Sequence, residues 1–368
     1  MTFKKVNKAA VFSGPGKPIT INEQEVQAPA ANEILVRVSI AGICGSDVHR
    51  LKGDIPAKSE GVCFGHEAVG TIEALGTRVC TDSVGTSLAV GDTVYWMPLT
   101  PCGSCYECKS QNIMLCKDIN WPPPAGVPSG ACFQQYATVS SKSVYIRVPD
   151  GVPPEHVVTF GCGMPTALRG IKQLGEVGPD DDVVVQGSGP VGLASTLLAS
   201  LAGAHSVTVI GDPAHRLGVA ARLGATCTLS VSDTTVEQRT EKIRQITKGR
   251  GASIVVEAAG AAAAFPEGFN LLGMNGRYLI MGLYSGKAVV PVDAVRINNL
   301  NLKIIGSLGL DIDGYRETVE IAAKQGPRLN FGDLVTHRFP LERLEEALLL
   351  VGQGTPIKAV IVPNYLSD

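Results

Sequence analysis

The sequence has no long run of charge of one sign and no N-terminal segment of the secretory type. Its formal net charge is −2 over 368 residues, and five or six like charges never follow one another. Nucleic acids and anionic membrane surfaces select strongly basic patches, so neither is an expected partner. Residues 1–18 are interrupted by glycine and proline before an apolar core of signal-peptide length can form, which predicts a cytoplasmic protein.

One long stretch lacks charged residues altogether. Residues 183–211 contain no Asp, Glu, Lys or Arg, a composition that is also typical of a membrane-spanning segment. Glycines and a proline interrupt this stretch, and that pattern favours a buried strand, a tight turn and a buried helix. A membrane-spanning segment is therefore not expected.

The length and the element pattern predict two domains. Apolar residues make up 45% of the chain and charged residues 18%, the balance of a globular protein. Residues 158–305 alternate short apolar strands with helical patterns, which predicts a doubly wound parallel sheet. Residues 1–157 have alternating, glycine-rich strand patterns, and residues 306–368 are expected to return to the same mostly-β domain. The predicted fold class is thus α/β with a mostly-β domain.

The segment GSGPVG, residues 187–192, follows a predicted strand and opens a predicted helix. Glycine in a G-x-G-x-x-G turn lets the backbone approach a pyrophosphate, whose charge the helix N-terminus then favours. Gly187, Gly189, Pro190 and Gly192 are therefore expected to bind a dinucleotide.

The residues after the second predicted strand bear on the choice of cofactor. Asp212 is placed to accept hydrogen bonds from the adenosine ribose, which favours NAD. Gly211 leaves room for the 2′-phosphate of NADP, with His215 and Arg216 nearby to receive it. Asp212 also suits the start of a helix before Pro213. NAD is the expected cofactor, and NADP is the alternative.

Ten cysteines in a cytoplasmic chain predict metal ligation or catalysis more than disulfides. Four of them share one loop with the spacing C-x2-C-x2-C-x7-C: Cys102, Cys105, Cys108 and Cys116. Four thiolates close the coordination sphere of a tetrahedral ion, so a structural zinc lobe is expected at about 98–118.

A catalytic metal needs an open coordination position, and its candidate ligands lie elsewhere. Cys44, His66 and Cys162 offer two thiolates and one imidazole, which leave zinc a fourth position for water or an alcohol oxygen. Glu67 directly follows the histidine. The remaining cysteines are interpreted as small core side chains: Cys63, Cys80, Cys132 and Cys227.

The motifs occur in a recognisable order. AGICGSDVH, GHEAVGTI, VGDTVYW, CGSCYECKSQNIMLC, GCGMPTALRG and GSGPVG resemble the zinc-containing medium-chain alcohol dehydrogenases over essentially the whole chain. The resemblance implies a GroES-like catalytic domain interrupted by a Rossmann domain, with the active site in the cleft between them. It also implies two zinc ions per subunit, one catalytic and one structural.

The resemblance assigns roles at the catalytic zinc. Cys44, His66 and Cys162 would be its ligands, and Glu67 would enter or tune the coordination. Asp47 would orient the ligand histidine.

The resemblance also assigns a proton path and further cofactor contacts. Ser46 would take the substrate proton, and His49 would pass it to solvent through the nicotinamide ribose. Thr166 and Val191 would pack near the nicotinamide, and Gly282 is counted with them as a cofactor-binding position.

The expected function is hydride transfer between a small-molecule alcohol and NAD, giving a ketone or aldehyde. Aromatic residues make up only 5% of the chain and no arginine clamp is evident, which favours a neutral secondary or cyclic alcohol, with Trp121 and Phe133 lining an apolar pocket. Cys162 argues against the polyol branch of the family, which has Glu there. The alternatives are an NADPH-linked zinc-dependent carbonyl reductase and a non-catalytic cofactor-binding relative. The family implies a homodimer or homotetramer.

Overall fold

The computed structural model describes residues 5–55, 61–110, 112–119, 121–282 and 289–364. The chain forms two compact units, of which the first takes its residues from 1–162 and 310–368 and the second from 163–309. Among the described residues, no helix combines the length and the apolarity that a membrane crossing requires.

The N-terminal part of the first unit consists mainly of strands. They are β1 (Val6–Val11), β2 (Thr20–Glu25), β3 (Glu33–Gly42), β4 (Ala68–Leu75), β5 (Thr93–Trp96), β6 (Tyr136–Ser140) and β7 (Tyr145–Arg147). Three short helices lie between or after them: α1 (Gly45–Lys52), α2 (Tyr106–Lys109) and α3 (Pro154–Val158). The mostly-β character predicted for this part is confirmed.

The second unit alternates helices and strands. Its helices are α4 (Gly163–Leu174), α5 (Pro190–Leu201), α6 (Ala214–Arg222), α7 (Val236–Ile246), α8 (Ala264–Leu271) and α9 (Ala294–Asn299). Its strands are β8 (Asp182–Gln186), β9 (Ser206–Gly211), β10 (Cys227–Ser230), β11 (Ala252–Glu257), β12 (Leu272–Ile280) and β13 (Lys303–Gly306). They pair in parallel in the order β10-β9-β8-β11-β12-β13. This is the doubly wound dinucleotide-binding order, which confirms the predicted sheet.

The chain then returns to the first unit. The returning elements are α10 (Ile312–Leu329), β14 (Val335–Phe339), α11 (Leu344–Gly352) and β15 (Lys358–Ile361). The main sheet has the order β14-β15-β3-β4-β5-β7, and β6 pairs with β3. Strand β15 runs antiparallel to β3, with Val360 opposite Gly42. The C-terminal segment therefore completes the sheet that the N-terminal segment begins.

A buried ion pair joins two helices of the second unit. Arg239 on α7 donates from Nε and Nη2 to the two carboxylate oxygens of Glu267 on α8, at 2.6 and 2.9 Å. The two side chains are only 4% and 9% exposed. A buried carboxylate without its partner is strongly destabilising, so this pair ties α7 to the core.

We predict that Arg239→Met lowers the free energy of unfolding by roughly 3–5 kcal/mol, because Glu267 would keep a buried and unpaired charge. Arg244→Met is the matched control, since Arg244 lies exposed on the same helix. Urea unfolding of the purified variants measures both effects. Equal stability of the two variants would contradict a stabilising role for the pair.

Candidate functional site

The pairing of β3 with β4 brings the first predicted ligands together. Ala41, near the end of β3, lies opposite Ala68, the first residue of β4. Cys44 follows β3 as the N-cap of α1, and His66 and Glu67 directly precede β4. The end of one antiparallel strand adjoins the start of its partner, so ligands far apart in sequence become neighbours.

Four ligand atoms converge at this point. One atom each of Cys44, His66, Glu67 and Cys162 lies within 4.8 Å of the others. The two sulfur atoms are 3.5 Å apart. The hydrogen bond between them lowers the pKa of Cys44 to about 5 and raises the pKa of Cys162 well above its ordinary value. One sulfur therefore has thiolate character, the form that binds metals.

Helix α1 carries the side chains that contact His66. The buried Asp47 accepts a hydrogen bond from the backbone N–H of Cys44 at 2.9 Å and faces His66 Nδ1 at 3.2 Å. A carboxylate at Nδ1 favours the tautomer whose lone pair lies on Nε2. Ser46 Oγ is 3.4 Å from that Nε2. The structure thus brings Asp47 and Ser46 to His66, a predicted ligand.

A buried lysine that the sequence analysis did not identify contacts this group. Lys358, the first residue of β15, is 2% exposed and donates from Nζ to Glu67 Oε2 and to the carbonyl of Ile43. The other carboxylate oxygen of Glu67 accepts from the backbone N–H of Cys162 at 2.8 Å. Burial opposes ionisation of Glu67, but the charge of Lys358 keeps the pKa of this carboxyl below its ordinary value. A lysine opening the apolar run AVIV was the only sequence signal.

Two glycines make room for the carboxylate of Glu67. A Cβ on Gly42 would lie 2.4 Å from Glu67 Oε2 and 2.8 Å from Lys358 Cε. A Cβ on Gly161, whose φ is 52°, would lie 2.1 Å from the same carboxylate. Side chains at either position would displace the Glu67–Lys358 pair, so the local sequence specifies its location.

The second thiol group lies in the loop around α2. The sulfur atoms of Cys102, Cys105, Cys108 and Cys116 all lie within 4.8 Å of one another. Backbone N–H groups of the same loop donate to these sulfurs at 3.4–3.5 Å. Backbone hydrogen bonds from Ser104 and Cys105 lower the pKa of Cys102 to about 6. The pKa values of Cys105 and Cys108 are raised instead, so without a metal the loop favours the thiolate form at Cys102.

The fold places Trp121, Phe133 and His49 in different surroundings. Trp121 lies edge-on to the ring of His66, with centroids 6.4 Å apart, beside the ligand group. The prediction that Phe133 lines a pocket is wrong, because its ring is 0% exposed and packs against Phe64 in the core. His49 is partly exposed and pairs through Nδ1 with Asp54 at 3.0 Å.

The remaining cysteines differ in their location. Cys63 and Cys132 are buried, as predicted for small core side chains, whereas Cys80 is exposed and Cys227 is partly exposed. The prediction was wrong for the latter two, because cysteine is small enough to be tolerated in an exposed loop or at a sheet edge.

The glycine turn of the second unit forms a cradle at the start of α5. Gly187 has a φ of 104°, and a Cβ on Gly192 would lie 1.9 Å from the carbonyl oxygen of Gly187. Gly189 is the N-cap of α5, and a Cβ there would meet nothing within 4 Å. Pro190 takes the first helical position, where no N–H is needed. An open helix N-terminus flanked by glycines fits a pyrophosphate group.

Strand β9 ends at Gly211, and Asp212 is the first residue after it. A Cβ on Gly211 would lie 2.8 Å from Ser188 Oγ and 3.0 Å from the Ser188 backbone nitrogen, so a larger side chain would require the glycine turn to shift. The carboxylate of Asp212 accepts hydrogen bonds from Ser230 Oγ at 2.9 Å and from the backbone and hydroxyl of Ser232 at 2.9 and 3.0 Å. Burial lowers the pKa of Arg216, which lies on α6.

The other predicted cofactor residues also lie in the second unit. A Cβ on Gly163, the first residue of α4, would lie 2.9 Å from the backbone nitrogen of Val191, so α4 packs closely against α5. Thr166 follows one turn along α4 and is partly exposed. A Cβ on Gly282 would lie 2.2 Å from Glu257 Oε2, so only glycine fits there.

The donor atoms of both thiol groups fit zinc, because thiolate and imidazole are its preferred ligands. Residues 30–150 match the alcohol dehydrogenase GroES-like domain, and residues 190–324 match the zinc-binding dehydrogenase family. The 5-exo-hydroxycamphor dehydrogenase of Pseudomonas putida is 40% identical over 333 residues, which are 90% of this chain and 92% of that protein.

Solved structures of dehydrogenases are also similar to this chain. An alcohol dehydrogenase from Thermotoga maritima superimposes with a TM-score of 0.88 at 29% identity, covering 98% of this chain and 100% of that one. A dehydrogenase from Escherichia coli in complex with NADH gives a TM-score of 0.81 at 25% identity, covering 97% and 99%. The chain belongs to the zinc-binding alcohol dehydrogenase family of medium-chain dehydrogenases. It is an oxidoreductase that uses zinc and a nicotinamide dinucleotide to interconvert an alcohol and its carbonyl product.

We predict that Lys358→Met lowers the free energy of unfolding by roughly 3–5 kcal/mol, since Glu67 would keep a buried charge without its cation. Adding Glu67→Gln should recover a large part of the loss, because the unpaired charge is then removed. Lys324→Met, at an exposed position on α10, is the control. Urea unfolding of the zinc-loaded proteins measures these changes, and a single lysine variant as stable as the control would refute the role of the pair.

Proposed function

We propose that this enzyme oxidises a neutral, apolar secondary alcohol to a ketone with NAD as the hydride acceptor. The observation that carries the proposal is the convergence of Cys44, His66 and Cys162, with Glu67 held by Lys358. Two thiolates and one imidazole leave one position of a tetrahedral ion open to substrate. The set therefore supports catalysis more than a structural role.

Two observations support the substrate class. The relative from Pseudomonas putida is named for 5-exo-hydroxycamphor, which carries a secondary hydroxyl on an apolar ring skeleton. Trp121, beside His66, offers an apolar wall to such a skeleton. We infer a cyclic or otherwise apolar secondary alcohol for this chain.

The choice of NAD rests on Asp212. Its carboxylate is fixed at the tip of β9 by Ser230 and Ser232. A fixed carboxylate attracts ribose hydroxyls and repels a 2′-phosphate. Gly211 alone would accommodate NADP, but the neighbouring negative charge opposes it.

Bound zinc would act as the Lewis acid that acidifies the alcohol, and bound NAD would accept the hydride. Asp47 holds the His66 ring so that Nε2 carries the lone pair. Ser46 Oγ accepts the alcohol proton as it gives up its own towards His49, and His49 passes a proton on to solvent. Trp121 shields this region from water. The four thiols of the second group hold their lobe together and take no part in the reaction.

We also propose the domain boundaries, the oligomeric state and the cellular location of the enzyme. Residues 1–157 with 306–368 would form the catalytic domain, and residues 158–305 the cofactor domain. Strand β13 is an edge of the second sheet, and Ile304 and Leu308 at that edge are exposed, which supports a homodimer or homotetramer. None of the ten cysteines, all within the described residues, forms a disulfide, which supports a cytoplasmic location.

Loss of one thiol from each group should have different consequences. Cys44→Ala is expected to abolish alcohol oxidation while NADH still binds, because the catalytic metal loses a ligand. Cys105→Ser is expected to lower thermal stability and zinc content first. Metal analysis, NADH fluorescence titration and turnover measure these effects, and normal turnover of the Cys44 variant would refute the metal assignment.

Cofactor preference should follow the charge at residue 212. With apolar cyclic secondary alcohols, the wild type should favour NAD, and polyols and charged alcohols should react poorly. Asp212→Asn should shift the ratio of kcat/KM for NAD and NADP about tenfold towards NADP, if ~1.4 kcal/mol of repulsion is removed. Asp233→Asn is the control, an exposed acid in the same loop region. Equal ratios in the two variants would contradict the assignment of Asp212.

A further inference from the structure

The chain folds back on His49 at the end of α1. Gly53 has a left-handed φ of 83°, and a Cβ there would lie 2.8 Å from Pro15, so glycine is required at this turn. The backbone N–H of Asp54 then donates to the carbonyl of His49 at 2.9 Å. The same turn places Asp54 Oδ2 3.0 Å from His49 Nδ1. The turn in the backbone thus places the carboxylate of Asp54 beside the imidazole of His49.

We propose that Asp54 is a positioning residue that sets the tautomer of His49 for proton transfer, an inference that rests on the proposed relay role of His49. A neutral imidazole carries one N–H and one lone pair. Asp54 holds the N–H at Nδ1, so the lone pair lies on Nε2, which accepts the relayed proton.

Two similar aspartate–imidazole pairs therefore involve helix α1, which carries Asp47 of the first pair and His49 of the second. Asp47 faces Nδ1 of His66 at 3.2 Å, and Asp54 faces Nδ1 of His49 at 3.0 Å. The two pairs differ in exposure, since the side chain of Asp47 is 3% exposed and that of Asp54 is 23% exposed. The first pair orients a metal ligand inside the domain, and the second holds an imidazole that solvent can reach, as a proton relay requires.

Nitrogen NMR of the zinc-loaded enzyme shows directly which ring nitrogen of His49 carries the proton. With ¹⁵N-labelled histidine at about pH 9, well above the ordinary imidazole pKa, two-bond proton–nitrogen couplings separate protonated from unprotonated ring nitrogens. The signals of His49 are assigned by their loss in His49→Gln. We expect Nδ1–H in the wild type and a majority of Nε2–H in Asp54→Ala, while the His66 signals stay unchanged and serve as the internal control.

Kinetics then test whether the tautomer matters. Asp54→Ala is expected to lower kcat about tenfold with little change in KM, the usual scale for losing an orienting carboxylate. In the double variant with His49→Gln, the aspartate substitution should have no further effect, because Asp54 acts only through His49. If Asp54→Ala does not fold, Asp54→Asn keeps the shape and its amide donates to Nδ1, which gives the same expectation.

The outcomes separate this proposal from the proposed function. Nε2–H in the wild type, or a normal kcat in Asp54→Ala beside a reduced kcat in His49→Gln, overturns the role of Asp54 and leaves the relay intact. Normal turnover of His49→Gln overturns the relay itself, and with it the role of Asp54. An additive loss in the double variant also overturns the proposal, since Asp54 would then act by another route.

Discussion

A carboxylate buried beside two thiols is the constraint on which the first unit depends. Removing an ion from water costs several kcal/mol, and only a closely placed opposite charge offsets that cost. The opposite charge comes from Lys358 on β15, which pairs with β3. The C-terminal segment must therefore return to the first sheet if Glu67 is to remain ionised there. Gly42 and Gly161 follow from the same constraint, because they leave space for the pair.

The sequence predicted what depends on local pattern. Strands β8 and β9 are apolar runs buried on both faces, and the ligands stand out because few residue types bind zinc. Strand β10 carried no such signal, since its residues are only partly buried at a sheet edge. The partner of Glu67 lies 291 residues away in sequence, so its pairing depends on the fold. Asp54 was missed for a different reason, because only a left-handed turn makes it face His49.

The end of β9 shows how close packing around one glycine constrains the neighbouring residues. Ser188 in the glycine turn occupies the space that a side chain at 211 would need. Asp212, one residue further along, is held by the hydroxyls of Ser230 and Ser232 after β10. Sequence spacing alone left NAD and NADP open, because it cannot say which way that carboxylate is held. The hydrogen bonds from Ser230 and Ser232 hold the Asp212 carboxylate in one orientation.

The two thiol groups differ in what they need from the rest of the protein. The lobe thiols accept N–H groups from their own loop, so their ligand geometry is local and their spacing identified them. Cys44 and Cys162 come from separate segments and lie beside a buried ion pair that a third segment completes. Loss of a metal from the four-thiol loop should therefore disturb the structure mainly within that loop. The group of Cys44, His66, Glu67 and Cys162 instead draws on separate segments of the first unit, so a change to the Glu67–Lys358 pair should alter both the geometry of this group and the stability of the unit.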